Sequence, residues 1–207
     1  DKAISIGENS NLNIYDLKEY GLGPHKSVDE KPSGGGPGMV LRADVIDTAI
    51  NNCFKKNRPL IYFSPKGKPL NQDTIEKFSL TKGVSIICGH FEGIDQRIID
   101  LHDIEEISIG DYILSGGEIA TIVFLDSLVR LLPDVLGNNN SKKIESFTDG
   151  LLEYPQYTKP NEFKGMKIPD ILLSGNHKAI KEWQENQALS LTKLRRPDLI
   201  NKKKDKI

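Results

Sequence analysis

The chain has 207 residues, of which 37% are hydrophobic and 28% are charged, and its formal net charge is −1. These fractions are typical of soluble proteins and argue against a disordered chain. No apolar run approaches the roughly 20 residues of a spanning helix, and the first residues lack a secretory pattern. We therefore expect no membrane partner and a cytoplasmic location. Because the chain begins at Asp1 and not at a methionine, we also expect the natural protein to have a preceding segment.

Cysteine and histidine positions argue against a disulfide and against a metal centre. Cys53 and Cys88 are far apart in apolar contexts, which predicts buried, reduced thiols. The four histidines show no metal-ligand spacing, so we expect no metal. Seven basic residues against two acidic ones lie between Lys193 and Lys206. Taken alone, such a run is as typical of a solvated terminus as of a phosphate contact.

The first predicted elements are a short strand, a shaped loop and a helix. Weak alternation over residues 2–17 indicates one short strand. Glycine and proline over residues 34–38 exclude a helix or a central strand, so residues 21–38 are predicted to form a loop. From Asp44, a candidate cap, apolar residues recur at helical spacing until the pattern ends near Asn57.

Three apolar runs then predict buried strands, each of which ends at a turn that contains glycine. They lie at residues 60–63, 84–88 and 106–109. Helices are predicted at residues 71–80, 94–100 and 118–132. The last is apolar on most faces, so we expect it to be largely buried, with another subunit as one candidate partner. The repeated strand, loop and helix predict an α/β fold with a parallel sheet, whose ligands bind beyond the carboxyl ends of the strands.

A change in composition predicts a domain boundary. Residues 137–143 are glycine, asparagine, serine and lysine, which is typical of a linker. A helix that contains Trp183 follows a cap at residues 174–176. We predict a main domain at residues 1–137, a linker at 138–152 and a small, mainly helical domain at 153–207.

Several local patterns have competing explanations. The glycine-rich segment 34–39 lacks a following Gly-Lys-Ser/Thr and a preceding strand, so it is neither a triphosphate loop nor a dinucleotide loop, and alone it favours a surface turn. Ser115 is more typical of a helix cap than of a nucleophile. Arg130 follows Asp126 by four residues, which indicates an intrahelical ion pair. An arginine in so apolar a helix would also suit a substrate oxygen.

An ordered set of segments covers nearly the whole chain. The segments are SVDEKP (27–32) with GGGPGM (34–39), SPKG (64–67), CGHFEGID (88–95), SIGDYILSGGE (108–118), PQYT (155–158) and LLSGNH (172–177). This set resembles bacterial tRNA (guanine-N1)-methyltransferases of the TrmD type. The resemblance implies a knotted α/β methyltransferase fold of the SPOUT class, with a trefoil knot in the main domain. Periodicity alone predicts the parallel sheet and not the knot.

The resemblance also implies an activity and its partners. The expected reaction transfers a methyl group from S-adenosylmethionine to N1 of the guanine immediately 3′ of the anticodon in tRNA, which supports reading-frame maintenance. The expected assembly is a homodimer with its active site and tRNA at the subunit interface. The loops of the knot would hold the cofactor through Pro65, Gly89, Glu92, Ile109, Gly110, Asp111, Tyr112, Ile113, Leu114, Gly116 and Gly117.

Methylation at guanine N1 requires a base for the departing proton and a cation for the charge that develops at O6. The resemblance implies Glu145 as the base, at a position where the family usually has Asp before a Ser-Phe pair, and Glu153 is a rival. It implies Arg130 as the cation. The expected substrate-binding residues are His25, Asp29, Gly38, His90 and Glu153. The basic carboxyl-terminal region would contact phosphates, which offsets the cost of moving the base out of its stack.

Two other functions are open at this stage. One is another knotted RNA methyltransferase that acts on a ribose hydroxyl or on a ribosomal base. The glycine-rich loop and the Glu145-Ser146-Phe147 segment argue against it. The other is a catalytically idle RNA-binding protein that retains the fold.

Overall fold

A computed structural model of the chain describes residues 11–132, 145–147 and 150–204. The chain divides into two compact units, Asp1–Gly137 and Asn138–Ile207. The predicted boundaries of the linker, 138 and 152, stay predictions. Within the described ranges, no helix combines the length and the apolar character that a membrane crossing requires.

The first unit contains a parallel sheet and a short antiparallel pair. The antiparallel pair joins β1 (Asp29–Glu30) to β2 (Val40–Leu41). The parallel sheet has the order β4-β3-β5, with bounds Leu60–Pro69 for β3, Ser85–Ile87 for β4 and Glu105–Ser108 for β5. Both pairings in this sheet are parallel. The predicted α/β class with a parallel sheet is confirmed.

Helices cover both faces of the sheet because successive side chains of β3 point to opposite sides. The helices of the first unit are α1 (Ala43–Cys53), α2 (Gln72–Ser79), α3 (Gln96–Leu101) and α4 (Glu118–Val129). Leu60 and Tyr62 join one buried cluster, which includes residues of α1 and α3. Ile61 and Phe63 join a second cluster, which includes residues of α2 and α4. The core therefore has two layers around a central strand.

The first helix begins earlier and ends sooner than its apolar pattern predicts. Arg42, not Asp44, occupies the position before the helix. The Asp44 carboxylate accepts hydrogen bonds from the Arg42 guanidinium at 2.8 and 3.1 Å and from the Val45 amide at 2.9 Å. It is therefore engaged inside the first turn, and the prediction that Asp44 caps the helix is wrong.

Residues 2–10 of the segment predicted to contain a short strand, 2–17, lie outside the described ranges. The structure shows irregular backbone over residues 11–16 and a 3-10 helix at Leu17–Tyr20. The Asp16 carboxylate caps that helix by accepting a hydrogen bond from the Lys18 amide at 2.9 Å.

Helix α4 is shorter and more exposed than its sequence predicts. It ends at Val129, and its buried residues are Ala120 and Phe124. Ile119 and Ile122 are 58% and 60% exposed. In the isolated chain, the expectation of a largely buried helix is therefore wrong for this face. Burial against a second subunit stays a prediction.

The described residues of the second unit form a short hairpin and three helices. The hairpin pairs β6 (Glu162–Phe163) with β7 (Met166–Lys167), and the helices are α5 (Asp170–Leu173), α6 (His177–Arg195) and α7 (Pro197–Lys204). The Asn176 side chain caps α6. Thr192, fully buried on α6, accepts a hydrogen bond from the Leu152 amide at 2.9 Å. This contact ties the segment before the hairpin to the long helix.

Candidate active site

A cavity of about 290 Å³ lies at the carboxyl ends of the three parallel strands. Its volume is close to the lower end of the range for small-molecule sites. The lining consists of Tyr62, Phe63, Ser64, Pro65, Lys66, Gly89, His90, Phe91, Glu92, Gly93, Ile94, Ile99, Ile107, Ser108, Ile109, Gly110, Tyr112, Ile113, Leu114, Ser115, Gly116, Gly117 and Ala120. The three glycine-containing turns thus meet where ligands of parallel sheets bind.

The first wall of the cavity is a bulge in β3. Phe63 and Lys68 both lie opposite Ile107 of β5, so the four residues between them are looped out of the ladder. Gly67 allows the bulge to rejoin, because a Cβ at this position would overlap the backbone of β5. The Ser64 hydroxyl accepts a hydrogen bond from the Lys66 amide at 3.2 Å. The predicted turn at residues 64–67 is therefore a bulge within a longer strand, and it brings Pro65 into the lining.

The second wall follows β4 and depends on glycine for close packing. A Cβ on Gly89 would lie 2.5 Å from the Tyr62 ring, and one on Gly117 would lie 3.0 Å from the Cys88 Cα. The Gly117 amide donates to the Gly89 carbonyl at 2.9 Å. These contacts hold the loop after β4 against the loop that precedes α4.

The third wall is the loop from Ile109 to Gly117. Gly110 has a φ of 152°, which an L side chain rarely adopts, and the Tyr112 ring packs directly against it. The Tyr112 hydroxyl donates to the Ile109 carbonyl at 3.1 Å. Ile113 is 81% exposed, although it lines the cavity. The loop therefore presents apolar side chains and backbone groups together, a combination suited to a ligand that has both apolar and polar parts.

The glycine-rich loop reaches this cavity through residues 38–41. The Glu92 amide donates to the Met39 carbonyl, and the Leu41 amide donates to the Gly93 carbonyl, both at 2.9 Å. A Cβ on Gly38 would lie 2.5 Å from Cγ of Glu92. Two segments separated by about 50 residues of sequence therefore lie side by side, with Glu92 between the loop and the cavity.

Two charged side chains meet at the mouth of the cavity. Nε2 of His90 and Oε1 of Glu118 are 2.5 Å apart, with both side chains about half exposed. The hydrogen bond with His90 lowers the pKa of Glu118 below its usual value. His90 precedes the Glu92 region, and Glu118 is the first residue of α4, so the contact joins two walls of the cavity.

Burial inside the first unit raises the pKa values of two further groups, Tyr62 and Cys88. Burial raises the pKa of Tyr62, and the nearby charge of Glu106 raises it further. Burial also raises the pKa of the Cys88 thiol, whose Sγ lies 3.4 Å from the Thr121 hydroxyl. Cys53 and Cys88 are both free thiols and half-buried. The interior thus favours the neutral forms of Tyr62 and Cys88.

The family model and the similar proteins that match this chain indicate the same family. The model of the family described as tRNA (Guanine-1)-methyltransferase TrmD matches residues 1–202. The chain belongs to this family. The tRNA (guanine-N(1)-)-methyltransferase of Ehrlichia canis is 52% identical over 194 residues, which cover 92% of this chain and 83% of that protein. The protein of the same name from Agrobacterium fabrum is 50% identical over 202 residues, which cover 97% and 87%. That from Gluconobacter oxydans is 52% identical over 186 residues, which cover 89% and 80%.

Most of the positions predicted from the family resemblance to hold the cofactor line the cavity. These are Pro65, Gly89, Glu92, Ile109, Gly110, Tyr112, Ile113, Leu114, Gly116 and Gly117, while the lining does not include Asp111. His90, predicted to contact substrate, also lines it. Gly38 lies against Glu92 at the cavity edge. Their roles in binding stay predictions.

Of the remaining predicted substrate residues, His25 and Asp29 lie on the segment before the glycine-rich loop, and Glu153 lies in the second unit. Asp29 is in β1, which pairs with β2. His25 lies in a turn enclosed by two hydrogen bonds between Leu22 and Ser27, both at 2.9 Å. Contact of these two residues with RNA stays a prediction.

The predicted base and its rival belong to the second unit, and the predicted cation belongs to the first. Arg130 is exposed at the carboxyl end of α4. Glu145 is half-buried, and the hydroxyl of its neighbour Ser146 accepts a hydrogen bond from the Glu153 amide at 3.0 Å. The Gln156 amide donates to the Glu153 carboxylate at 2.5 Å. The backbone of Glu153 therefore lies next to the residue that follows Glu145.

Some lining residues were not predicted from the sequence. Tyr62 lies inside an apolar run and belongs to the buried core, as the run predicts, but it also lines the cavity. Lys66 and Phe91 lie within segments that carried the family resemblance, so those segments held a signal for them. Glu118, which is not itself in the lining, also falls within such a segment, but its contact with His90 spans 28 residues and leaves no local pattern.

Proposed function

We propose that this chain transfers a methyl group from S-adenosylmethionine to N1 of the guanine immediately 3′ of the anticodon in tRNA, and thereby supports reading-frame maintenance. The chain is a tRNA (guanine-N1)-methyltransferase by family. The observation that carries the finer proposal is the cavity at the carboxyl ends of the strands, lined by the loops that the resemblance assigns to the cofactor.

The residues present fit S-adenosylmethionine. When bound, this cofactor supplies an electrophilic methyl group on a positively charged sulfur. Gly89, Gly116 and Gly117 let backbone approach closely, and side chains at these positions would meet neighbouring atoms. Such close backbone is suited to an adenosine group recognised by amide and carbonyl groups. Glu92 lines the same cavity and would place a carboxylate near the positive charge.

The proposed chemistry at the guanine needs a base and a cation. Glu145 would remove the N1 proton, and Arg130 would stabilise the negative charge that develops at O6. The family resemblance assigns the base to Glu145, and Glu153, whose carboxylate accepts a hydrogen bond from Gln156, stays the rival.

The proposed assembly is a homodimer of knotted SPOUT-class subunits in the cytoplasm, with tRNA and the active site at the interface. The exposed apolar residues Ile119, Ile122 and Val123 on α4 support a subunit contact, because apolar side chains grouped on one helix gain free energy when covered. Arg130 ends the same helix, which would bring it to the interface. The basic residues at the end of α6, Lys193 and Arg195, would contact phosphates.

A transfer assay on two RNAs tests the proposal. The protein is incubated with methyl-labelled S-adenosylmethionine and an unmodified tRNA transcript that has guanine immediately 3′ of the anticodon, and a second transcript has adenine there. We expect N1-methylguanine in the first RNA and no label in the second. Label on ribose or equal label in both RNAs would favour another knotted RNA methyltransferase. Binding of tRNA without transfer would favour the idle RNA-binding protein.

A further inference from the structure

A histidine and a glutamate join two walls of the cavity across the chain. Nε2 of His90 lies 2.5 Å from Oε1 of Glu118, and the two residues are 28 positions apart. His90 lines the cavity, whereas Glu118 begins α4. Neither residue has another ion-pair partner among the contacts that the structure describes. The pair therefore connects the loop after β4 directly to the start of a helix.

Backbone contacts also join the loop after β4 to the loop before α4, and they place His90 next to Glu118. The Gly117 amide donates to the Gly89 carbonyl at 2.9 Å, and His90 forms an isolated antiparallel bridge with Gly116. A Cβ on Gly116 would overlap the Glu118 carboxylate and would lie 2.9 Å from Cε1 of His90. Glycine at this position therefore leaves the space in which the two side chains meet.

We propose that His90 and Glu118 are a positioning pair for the cofactor, which fastens two walls of the cavity together and sets its shape. This inference rests on the proposed function, because it assumes that the cavity holds S-adenosylmethionine. The pair acts through the loops it joins, and the prediction that His90 contacts RNA is separate from it.

The contact includes the Glu118 carboxylate, and a hydrogen bond with a charged partner is stronger than one between neutral groups. The other titratable groups nearby are the Cys88 thiol, on which Glu118 acts electrostatically, and Glu92, two residues along the loop. The Phe91 ring packs at 6.0 Å from the imidazole and adds no charge.

The test is the dissociation constant of S-adenosylmethionine, measured by calorimetry on the full chain. Glu118→Gln removes the acceptor charge, so we expect its dissociation constant to be about two- to fivefold higher than that of the wild type, the scale of a half-exposed ion pair. His90→Arg is the conservative variant, because arginine keeps a donor for the Glu118 carboxylate, so its affinity should stay close to that of the wild type.

A second histidine–carboxylate pair provides a matched control. Nε2 of His102 lies 2.7 Å from Oδ1 of Asp47, and neither residue lines the cavity. Asp47→Asn should therefore keep the wild-type affinity. A Glu118→Gln dissociation constant equal to that of the wild type, or an equally large loss of affinity in His90→Arg, would overturn the positioning pair but not the cofactor site. Failure of the wild type to bind S-adenosylmethionine would overturn both proposals.

Discussion

The backbone of Gly38 lies against the side chain of Glu92. Gly38 has a φ of 83°, and a Cβ at this position would stand 2.5 Å from Cγ of Glu92. The amide of Glu92 also donates to the carbonyl of Met39 at 2.9 Å. The glycine-rich loop and the cavity thus meet where an added side chain would displace a residue of the cavity lining.

Replacement of Gly38 by alanine should disturb the cavity as well as the loop. Left-handed backbone costs a non-glycine residue about 1–2 kcal/mol, and the added methyl would also push Glu92 aside. We expect kcat/KM for methyl transfer to fall by about tenfold or more, which corresponds to about 1.4 kcal/mol. Gly34→Ala is the control, because Gly34 has a φ of 94° with no atoms near its Cβ position. Equal losses in the two variants would contradict a specific role for the Gly38–Glu92 contact.

Glutamine substitutions distinguish the two candidate bases. Glu145→Gln keeps the size of the side chain but removes its ability to accept the N1 proton, so kcat should fall by about 10²–10⁴-fold. Glu153→Gln should have a much smaller effect, because the family resemblance places the base at Glu145, directly before the Ser146-Phe147 pair. Single-turnover transfer at saturating cofactor measures both, with cofactor affinity determined separately. A larger loss in Glu153→Gln would reassign the base.

Arg130 should matter most in the transition state. Its loss removes the cation for the charge at O6, so Arg130→Ala should lower kcat by about 10²–10³-fold. Arg130→Lys should recover part of this loss, since lysine retains the charge without the planar fork. The measurement is transfer at saturating tRNA and saturating cofactor. An unchanged kcat with a raised KM for tRNA would show that Arg130 only binds RNA.

The parallel sheet and most helices could be predicted because their signals are local. The apolar run at residues 84–88 became β4, and the apolar spacing in α1 places Val45, Ile46 and Ile50 in the core, as expected. The bulge at residues 64–67 could not be predicted in detail, because it depends on β3 rejoining β5 after four residues. A local turn signal was present there, but β3 pairs with β5 both before and after the bulge, so residues 60–69 form one strand.

The sequence predicted which glycine-containing loops would meet at the candidate site. It did not predict which side chains would contact one another there. The family segments indicated which loops meet, since the carboxyl ends of parallel strands share one edge. The Arg42–Asp44 contact shows the limit of such local reasoning. Asp44 is a residue type suitable for capping, but it lies inside the first turn, where its carboxylate accepts a hydrogen bond from the Arg42 guanidinium. Contacts such as His90–Glu118 depend on the tertiary fold alone.

Acid should weaken the fold in part through Asp95. Its carboxylate accepts hydrogen bonds from the Arg97 guanidinium and from the Arg97 amide, and these lower its pKa below the usual value. A carboxyl group with a lowered pKa stabilises the folded state above its unfolded pKa, about 4, and this contribution is lost as the pH falls through the lower folded value.

Asp95→Asn isolates the charge, because asparagine remains a good helix cap. At pH 7 the variant should have a lower free energy of unfolding than the wild type, and the difference should shrink as the pH falls below about 4. Urea denaturation at pH 7, 4 and 3 measures this difference. A gap that stays constant across these pH values would show that the ionised form of Asp95 has no special role.

The most direct test of the central claim is a crystal structure of the protein with S-adenosylhomocysteine, the product that remains after methyl transfer. We predict density for the ligand in the cavity at the carboxyl ends of the strands, in contact with Gly89, with the loop from Ile109 to Gly117 and with the bulge at Pro65. Density bound elsewhere on the protein, with this cavity left empty, would contradict the assignment of the cavity as the methyl-donor site.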